Sequence, residues 1–272
     1  MRECRDGECG GSGGGETPMK LGAFITITDP FRRGDPFIEC HQMAQDIFDT
    51  VTVVDGRDTW PREFDWDLIG LHFTSGYEDT DADWVFHLDC DFFFHEQDKE
   101  AIRAACERNN EFPALSFYKR QFIAPDRFNL KSRLVIAVNK RKFGDRIRFD
   151  AGGDLCQPSL DGHELSPDQV PEARIPFYNY EKIIKTEAQI TDDVGRMARA
   201  WHAHFGEYKL GGPDDASAYA EWYKMTSGRF QKEQEHIPLS AHPKYIQSTI
   251  KSLQPGQWGY DGFGLFKSDY IV

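Results

Sequence analysis

Residues Ala82–Asp98 have the sequence ADWVFHLDCDFFFHEQD, in which an apolar run ends in Asp89-Cys90-Asp91 and is followed by aromatic and then acidic residues. The run Asp83–Leu88 predicts a strand. Alternation along a strand places Asp89 and Asp91 on the same side, about 6–7 Å apart along the backbone. Two hard carboxylates suit Mg²⁺ or Mn²⁺, which keep coordination sites for phosphate oxygens and water. Because Asp is also a common turn former, the pair alone is a weak signal.

The segment before this run predicts the strands and helices that come before Asp89 and Asp91. Leu21–Thr28 (LGAFITIT) predicts a strand, Asp35–Phe48 a helix and Thr50–Val54 a second strand that ends at Asp55-Gly56. Strand, helix and strand in this order form a βαβ unit, which implies parallel strands and a right-handed crossover. A helix over Phe64–Tyr77 then makes the strand before Asp89 the third of the series. Ligands of such sheets bind at the carboxyl ends of the strands, where Asp29 and Asp55 also lie.

Downstream of Asp98 the pattern predicts further helices and strands. The helices are Gln97–Asn109, Ile190–Phe205, Asp214–Thr226 and Pro243–Leu253, and the strands are Ala114–Phe117, Arg133–Val138 and Arg146–Phe149. We therefore expect an α/β fold with a mostly parallel central sheet flanked by helices and a helical C-terminal extension. Residues 1–18 contain a GGSGGG run typical of a flexible linker. Residues 19–272 are predicted to form one domain, with halves at 19–110 and 111–230 and the extension at 231–272.

Composition limits the class of protein. The chain has 272 residues, of which 39% are hydrophobic and 14% aromatic, so a sizeable core is expected. No apolar run approaches the roughly 20 residues that span a bilayer, and the N-terminus lacks a signal-peptide hydrophobic region, so we expect a soluble, cytoplasmic protein. The six Cys show no metal-binding spacing and are expected to be free thiols. A formal charge of −13 argues against nucleic-acid binding by the surface as a whole.

One stretch departs from this acidic balance. Between Lys119 and Arg148 there are ten Lys or Arg and two Asp. Charge runs commonly just face water, here as two solvated strand faces and a Lys-rich turn over Asn139–Lys142. The other hypothesis is that part of the stretch recognises an anionic partner such as a phosphorylated glycan, a lipid-linked diphosphate at a membrane surface or a polynucleotide.

The segments FITITDPF, TVTVVDGRDTW and DADWVFHLDCDFFFHEQD resemble the nucleotide-binding half of the inverting GT-A glycosyltransferases, the family 2-like group. The resemblance covers roughly residues 20–100. Further along, SFYKRQF, GDRIRF, GGDLCQPSLDGHE and LGGPDD look like the acceptor half of a branch of that group, with a looser match. The resemblance implies a Rossmann-like GT-A fold that binds a UDP- or GDP-linked sugar and transfers the sugar with inversion to an acceptor hydroxyl, by default on a glycan or lipopolysaccharide-type acceptor.

The resemblance also implies roles for the donor-side residues. Asp91 would hold the cation and Asp89 would bind the metal site or the ribose, while Asp55 would contact the base or ribose of the donor. Asp29 and Arg57 would line the nucleotide pocket, or else serve as a turn residue and a surface Arg. His95 would contact the donor phosphates or cap the following helix. The His that often completes the metal site cannot be placed, and the candidates are His202, His204, His236 and His242.

Direct displacement needs a general base for the acceptor hydroxyl. In the resembling family a carboxylate at a helix N-terminus often has this role, which makes Asp215 the first candidate, with Asp154 and Glu164 next. A helix cap is the simpler interpretation of Asp215. Two rival functions remain open, a nucleotidyltransferase with a similar acidic metal pair and a non-catalytic nucleotide- or glycan-binding module.

Overall fold

The computed structural model describes residues 18–59, 65–150, 157–208, 211–230, 232 and 235–266. Its strands are β1 (Leu21–Ile27), β2 (Thr50–Asp55), β3 (Trp84–Leu88), β4 (Phe92–Phe93), β5 (Ala114–Ala124), β6 (Arg127–Asn139), β7 (Ile147–Arg148), β8 (Ser159–Leu160), β9 (His163–Glu164), β10 (Glu172–Asn179) and β11 (Glu235–His236). Its α-helices are α1 (Pro30–Arg33), α2 (Phe37–Ile47), α3 (Trp66–Asp79), α4 (Lys99–Arg108), α5 (Lys140–Phe143), α6 (Glu187–Phe205), α7 (Asp215–Phe230), α8 (Lys244–Lys251) and α9 (Trp258–Asp261). The linker predicted at residues 1–18 lies outside the described residues, except for Pro18.

The main sheet has the strand order β2-β1-β3-β6-β5-β10-β4, with β11 paired to β6. The pairs β1–β2, β1–β3 and β5–β10 are parallel, as the predicted βαβ unit requires for the first two. The pairs β3–β6, β5–β6, β4–β10 and β6–β11 are antiparallel. The fold is thus α/β as predicted, but the sheet is mixed rather than mostly parallel. The reason is local, because β5 and β6 are joined by only Pro125 and Asp126, and so short a connection can form only an antiparallel pair.

The centre of the sheet is buried on both faces. In β1, the side chains of Leu21, Phe24 and Ile25 have no exposed surface, since β2 and β3 flank this strand and helices cover it. Gly22 of β1 leaves no space for a side chain, because an added Cβ would lie 2.5 Å from Cγ2 of Thr80. The strands that lead to the candidate Asp residues therefore run through a rigid core before they reach those residues.

The C-terminal segment packs onto this core. The Trp258 side chain is buried, and its Nε1 donates a hydrogen bond to the Ile123 carbonyl at 3.0 Å. His242 is buried beside Tyr180, with 2.7 Å between its Nδ1 and the tyrosine hydroxyl. The predicted extension thus contributes large side chains to the same interior as β5 and β10.

Strands β7, β8 and β9 form a small antiparallel sheet of their own. It lies beside the main sheet, where Phe149 packs against Phe24 and Phe73. None of the described helices is both long enough and apolar enough to cross a membrane.

Candidate functional site

A cavity of 310 Å³ opens at the carboxyl ends of β1 and β3. It lies where the parallel part of the sheet meets β5 and β10, so both halves of the chain contribute to it. The polar and charged side chains among its described lining residues are Thr26, Thr28, Arg33, Asp35, Asp89, Asp91, Lys119, Asn179 and Glu181.

Asp89 and Asp91 both line this cavity, as predicted from the strand that precedes them. The turn that carries them is fixed by backbone hydrogen bonds, since Phe92 N donates to Asp89 O and Tyr180 N donates to Asp91 O, each at 3.0 Å. The Asp89 side chain is about a third exposed and lies 3.3 Å from Nε2 of His87. Asp91 is buried, and its Oδ1 has no hydrogen-bond partner among the described residues.

The surroundings of Asp91 are unfavourable for a lone carboxylate. Burial raises its pKa well above the usual range, and the negative charges of Asp89, Glu181 and Asp35 raise it further, while Lys185 opposes them. A buried carboxylate oxygen without a donor is costly. Asn179, which faces Phe92 across the β4–β10 pair, adds a second buried oxygen without a partner, its Oδ1. The cavity thus presents oxygen acceptors that a cation would satisfy.

Cations also face the cavity. Arg33 donates from Nη1 to Thr28 Oγ1 at 2.8 Å, and its Nε lies 3.4 Å from Asp35. Lys119 reaches the cavity from β5. Although burial acts to raise the pKa of Glu181, Lys182 and then Lys119 bring it down to about 2, so this carboxylate is ionised at neutral pH.

A buried ion cluster centred on Asp193 of α6 holds the Arg33 side of the cavity in place. Lys185 bridges Asp193 and Asp35, with 2.7 Å to the latter, and Lys182 lies 3.5 Å from Asp193. Arg196 is 2.9 Å from Asp193. Burial acts to raise the pKa of Asp193, but these lysines and Arg33 hold it far below the usual range. Such a network orients the cavity side chains at fixed positions.

Asp29, Asp55 and Arg57, predicted to line the nucleotide pocket, lie outside the lining of the cavity but close to it. Ile27 at the end of β1 pairs with Asp55, and Thr28, the next residue, lines the cavity. Arg57 Nε donates to Asp55 at 2.7 Å. Hydrogen bonding to Asp55 raises the pKa of Arg57. Asp29 pairs instead with Arg32, whose Nε lies 3.2 Å from its carboxylate.

His95 has the simpler of its two predicted roles. Its Nδ1 accepts a hydrogen bond from Gln97 N at 3.2 Å and so caps the single 3-10 turn, Glu96–Asp98, that leads into α4. His95 is not among the residues that line the cavity.

Of the three candidates for the general base, neither Asp215 nor Glu164 lines the cavity. Asp215 is the first residue of α7, pairs with Arg199 and lines a separate open groove that includes Thr186. Gly195 of α6 makes this contact possible, since a Cβ there would overlap the Asp215 carboxylate. Glu164 is exposed in β9 and does not line the cavity, and Asp154 lies outside the described residues.

The candidate histidines for the metal site are also elsewhere. His236 is exposed and lies 3.3 Å from Asp126, His202 stacks on Tyr208, and His242 is buried beside Tyr180. His204 packs against Phe205. Within the part of the chain that the structure describes, no group of three or more His, Cys, Asp and Glu side chains is arranged to hold a metal ion. A cation here would therefore take at most two carboxylates, Asp89 and Asp91, with its other ligands being neutral oxygens such as Asn179 Oδ1, ligand oxygens or water.

Among the charged and amide side chains of the cavity, Arg33, Asp35, Asn179 and Glu181 were not predicted, and Lys119 was considered only as part of the basic stretch. Arg33 and Asp35 follow β1 directly, so their position after the first strand was an available signal. Lys119, Asn179 and Glu181 come from the middle of β5 and from the end of β10, which no local motif marks.

The Lys-rich turn of the basic stretch has structural contacts. Lys140 Nζ donates to the carbonyls of Tyr77, Glu78 and Thr80, each at 2.8 Å. Lys142 pairs with Glu111 and Arg141 lies 3.8 Å from Asp83. These contacts tie the turn to the rest of the fold, whereas the sequence predicted either a turn that simply faces water or one that recognises an anion.

No protein-family model matches this chain, and a search of curated proteins finds no match to its sequence.

Proposed function

We propose that this chain is a glycosyltransferase of the GT-A type, which transfers a sugar from a UDP- or GDP-linked donor to an acceptor hydroxyl with the help of Mn²⁺ or Mg²⁺. The observation that carries the proposal is the buried Asp91, which lines the cavity at the strand ends together with Asp89 and whose Oδ1 has no hydrogen-bond partner in the part of the chain that the structure describes. Ligands of α/β sheets bind at this edge.

The residues present fit a divalent cation that is shared with a diphosphate. Mg²⁺ and Mn²⁺ are commonly held by one or two carboxylates together with phosphate oxygens and water. Asp89 and Asp91 supply two carboxylates, and the absence among the described residues of a group of three His, Cys, Asp or Glu ligands is compatible with such a shared site. When bound, the cation would neutralise the charge that develops on the leaving diphosphate.

The positively charged side chains at the cavity would bind the negatively charged donor in this proposal. Arg33, fixed by Thr28, Asp35 and Asp193, would bind phosphate oxygens of the donor. Asp55 and Arg57, one strand further out, would contact the nucleoside. Such fixed charges stabilise a developing negative charge without reorganising during the reaction.

We assign the general base to Glu181 rather than to Asp215 or Glu164. Glu181 lines the cavity beside Asp91, whereas Asp215 and Glu164 do not. Its side chain is 42% exposed, so an acceptor can reach it. With a pKa of about 2, Glu181 is in the ionised form that a base requires, although so low a value also limits its strength. Replacement by Gln should lower kcat while UDP binding persists. If kcat is unchanged, Asp154 becomes the leading candidate.

The proposal is tested by calorimetric titration of UDP and GDP with and without Mn²⁺. We expect cation-dependent binding that weakens by about 100-fold or more in Asp91→Asn, because the metal loses a charged ligand. This variant should stay folded, since it removes a carboxylate that its neighbours repel. Asp145→Asn, which makes the same change at an exposed position outside the cavity, is the control.

Hydrolysis of nucleotide sugars by the parent chain then separates the candidate functions. Release of free sugar and nucleoside diphosphate supports a glycosyltransferase, whereas release of pyrophosphate from a nucleoside triphosphate supports a nucleotidyltransferase. If UDP and GDP bind equally well in excess EDTA, or equally well to Asp91→Asn, the metal assignment is wrong.

A further inference from the structure

Two lysines of the central sheet lie directly opposite each other. Lys119 of β5 and Lys131 of β6 are register partners in the antiparallel pair. Like charges at directly opposite positions destabilise a sheet. No carboxylate of the described residues forms an ion pair with the Nζ of either lysine to offset the repulsion. The two lysines therefore place like charges side by side in the sheet, and Glu181 acts electrostatically on Lys119 alone of the two.

The C-terminal end of α7 brings two more cations to the same place. Helix α7 ends at Phe230, whose ring centre lies 4.4 Å from the Arg127 guanidinium at the start of β6. Arg229 and Lys232, next to the end of this helix, lie close enough to Lys131 for their charges to act on it. Burial and then the charges of Arg229, Lys119 and Lys232 lower the pKa of Lys131, so the charged groups that act on it are cations.

This group of four cations is continuous with the cavity. Lys119 lines the cavity and acts electrostatically on Glu181, the base of the proposed reaction, while Lys131 and Lys232 do not line the cavity. Because Lys119 and Glu181 share the cavity, a ligand whose hydroxyl lies near Glu181 can place an anionic group towards Lys119 and the cations that act on Lys131.

We propose that Lys119, Lys131, Arg229 and Lys232 form an anion site that binds the phosphate group of a phosphorylated sugar acceptor. The identity of the ligand as an acceptor rests on the proposed glycosyltransferase function, whereas the anion site itself does not. A phosphate monoester carries about −1.5 to −2 charges at neutral pH and three acceptor oxygens, which matches several converging cations. A long polyanion fits less well, because the protein as a whole carries a charge of −13.

The test compares a sugar phosphate, the matching neutral sugar and a polyanion in the absence of divalent cations. Binding of glucose 6-phosphate, glucose and a single-stranded oligothymidylate is measured at low and at physiological salt. The variant is Lys131→Gln with Lys232→Gln, neither of which lines the cavity. The control is Lys224→Gln with Lys251→Gln, two exposed lysines of α7 and α8 outside the cavity. Because the variant removes the Lys131 charge, which lies opposite that of Lys119, its unfolding temperature should equal or exceed that of the parent.

We expect glucose 6-phosphate to bind more tightly than glucose, with an affinity that falls as salt rises. The double variant should bind glucose 6-phosphate about tenfold more weakly, as expected for losing charge-assisted contacts, and the control should match the parent. Equal affinity for glucose and glucose 6-phosphate, or equal affinity of parent and variant, would overturn the anion site. Tighter binding of the oligothymidylate through the same lysines would overturn the assignment to a sugar phosphate.

Titration of the parent with UDP and Mn²⁺ keeps the two proposals apart. If UDP does not bind but glucose 6-phosphate does so through Lys131 and Lys232, the glycosyltransferase proposal and the acceptor role fail while the anion site stands. If UDP binds and glucose 6-phosphate does not, the anion site fails alone.

Discussion

Single residues of this protein show how the surroundings of an ionisable group decide what it can do. Asp91 is buried among other carboxylates, which raise its pKa, so ionising it opposes folding unless a cation is present. A folded pKa above the unfolded one means that this group contributes stability at low pH and that the contribution is lost as the pH rises. Sites with such unfavourable charge arrangements are often functional.

For His242 we predict a pH dependence of stability whose sign is opposite to that of Asp91. Its imidazole has no exposed surface and is 2.7 Å from the Tyr180 hydroxyl, and burial lowers its pKa from 6.5 to about 4. The group therefore contributes stability above pH 6.5 that is lost as the pH falls towards 4. The slope is about 1.4 kcal/mol per pH unit at most, or about 3 kcal/mol over the window.

Urea unfolding of the parent and of His242→Gln at several pH values between 7 and 4 measures this contribution. The variant should be less stable at pH 7, and the difference between the two proteins should shrink as the pH falls. A difference that stays constant over this range would mean that His242 titrates normally and that its burial has no effect on its charge.

At the scale of elements, Lys140 shows how a charge run can act within the fold. Helix α3 ends near Asp79 with carbonyls that lack helical partners, and the Lys140 ammonium binds three carbonyls in this region. A cation at a helix C-terminus is also favoured by the helix dipole. The Lys140 side chain thus ties the start of α5 to the end of α3.

Replacing Lys140 by Met should lower the free energy of unfolding by about 1–3 kcal/mol, because charge-assisted hydrogen bonds to the carbonyls are lost. Lys142→Met is the matched control, two residues away. It breaks an exposed pair with Glu111, which is worth about 0–1 kcal/mol. Equal losses in the two variants, measured by urea unfolding, would show that Lys140 does not stabilise the end of α3.

At the scale of the whole molecule, the C-terminal segment is part of the core. Trp258 packs against Trp222 of α7 and Phe266, and its indole donates to the Ile123 carbonyl at the end of β5. Distant parts of the chain therefore share one interior, and we expect them to unfold together.

Trp258→Ala should lower the free energy of unfolding by about 3–5 kcal/mol, since a large buried side chain is removed and a cavity remains. The control Tyr260→Ala changes a neighbouring aromatic that is 51% exposed and should cost about 0.5 kcal/mol or less. Thermal unfolding followed by tryptophan fluorescence and by circular dichroism should coincide in the parent. Two separate transitions would show instead that the C-terminal segment is an independent unit.

The N-terminal half could be predicted from sequence because its signals are local. The apolar runs of β1, β2 and β3 each end at a polar or turn residue, and the strands pair in parallel as a βαβ unit requires. The position of Asp89 and Asp91 at the cavity follows from their place directly after β3. These features depend on residues within a few positions of one another.

The second half could not be predicted in the same way. Strand β10 contains Pro176, which lowers the strand signal, and Arg174, whose φ of 53° lies where the register with β5 shifts. Because β10 was missed, its place beside β5 and the cavity residues Asn179 and Glu181 were missed with it.

Sequence alone therefore determined the α/β class, the βαβ unit and the carboxylate pair after β3, because strand periodicity and chain order fix these without reference to distant residues. Tertiary structure decided which charges meet. Arg33, Lys119 and Glu181 share a cavity, and Lys119 lies opposite Lys131, only because the sheet places β1, β5, β6 and β10 in a particular order and register. Tertiary structure also pairs Asp215 with Arg199 of α6. The close approach of α6 and α7 that allows this pair is set by packing at Gly195 and not by any local sequence pattern.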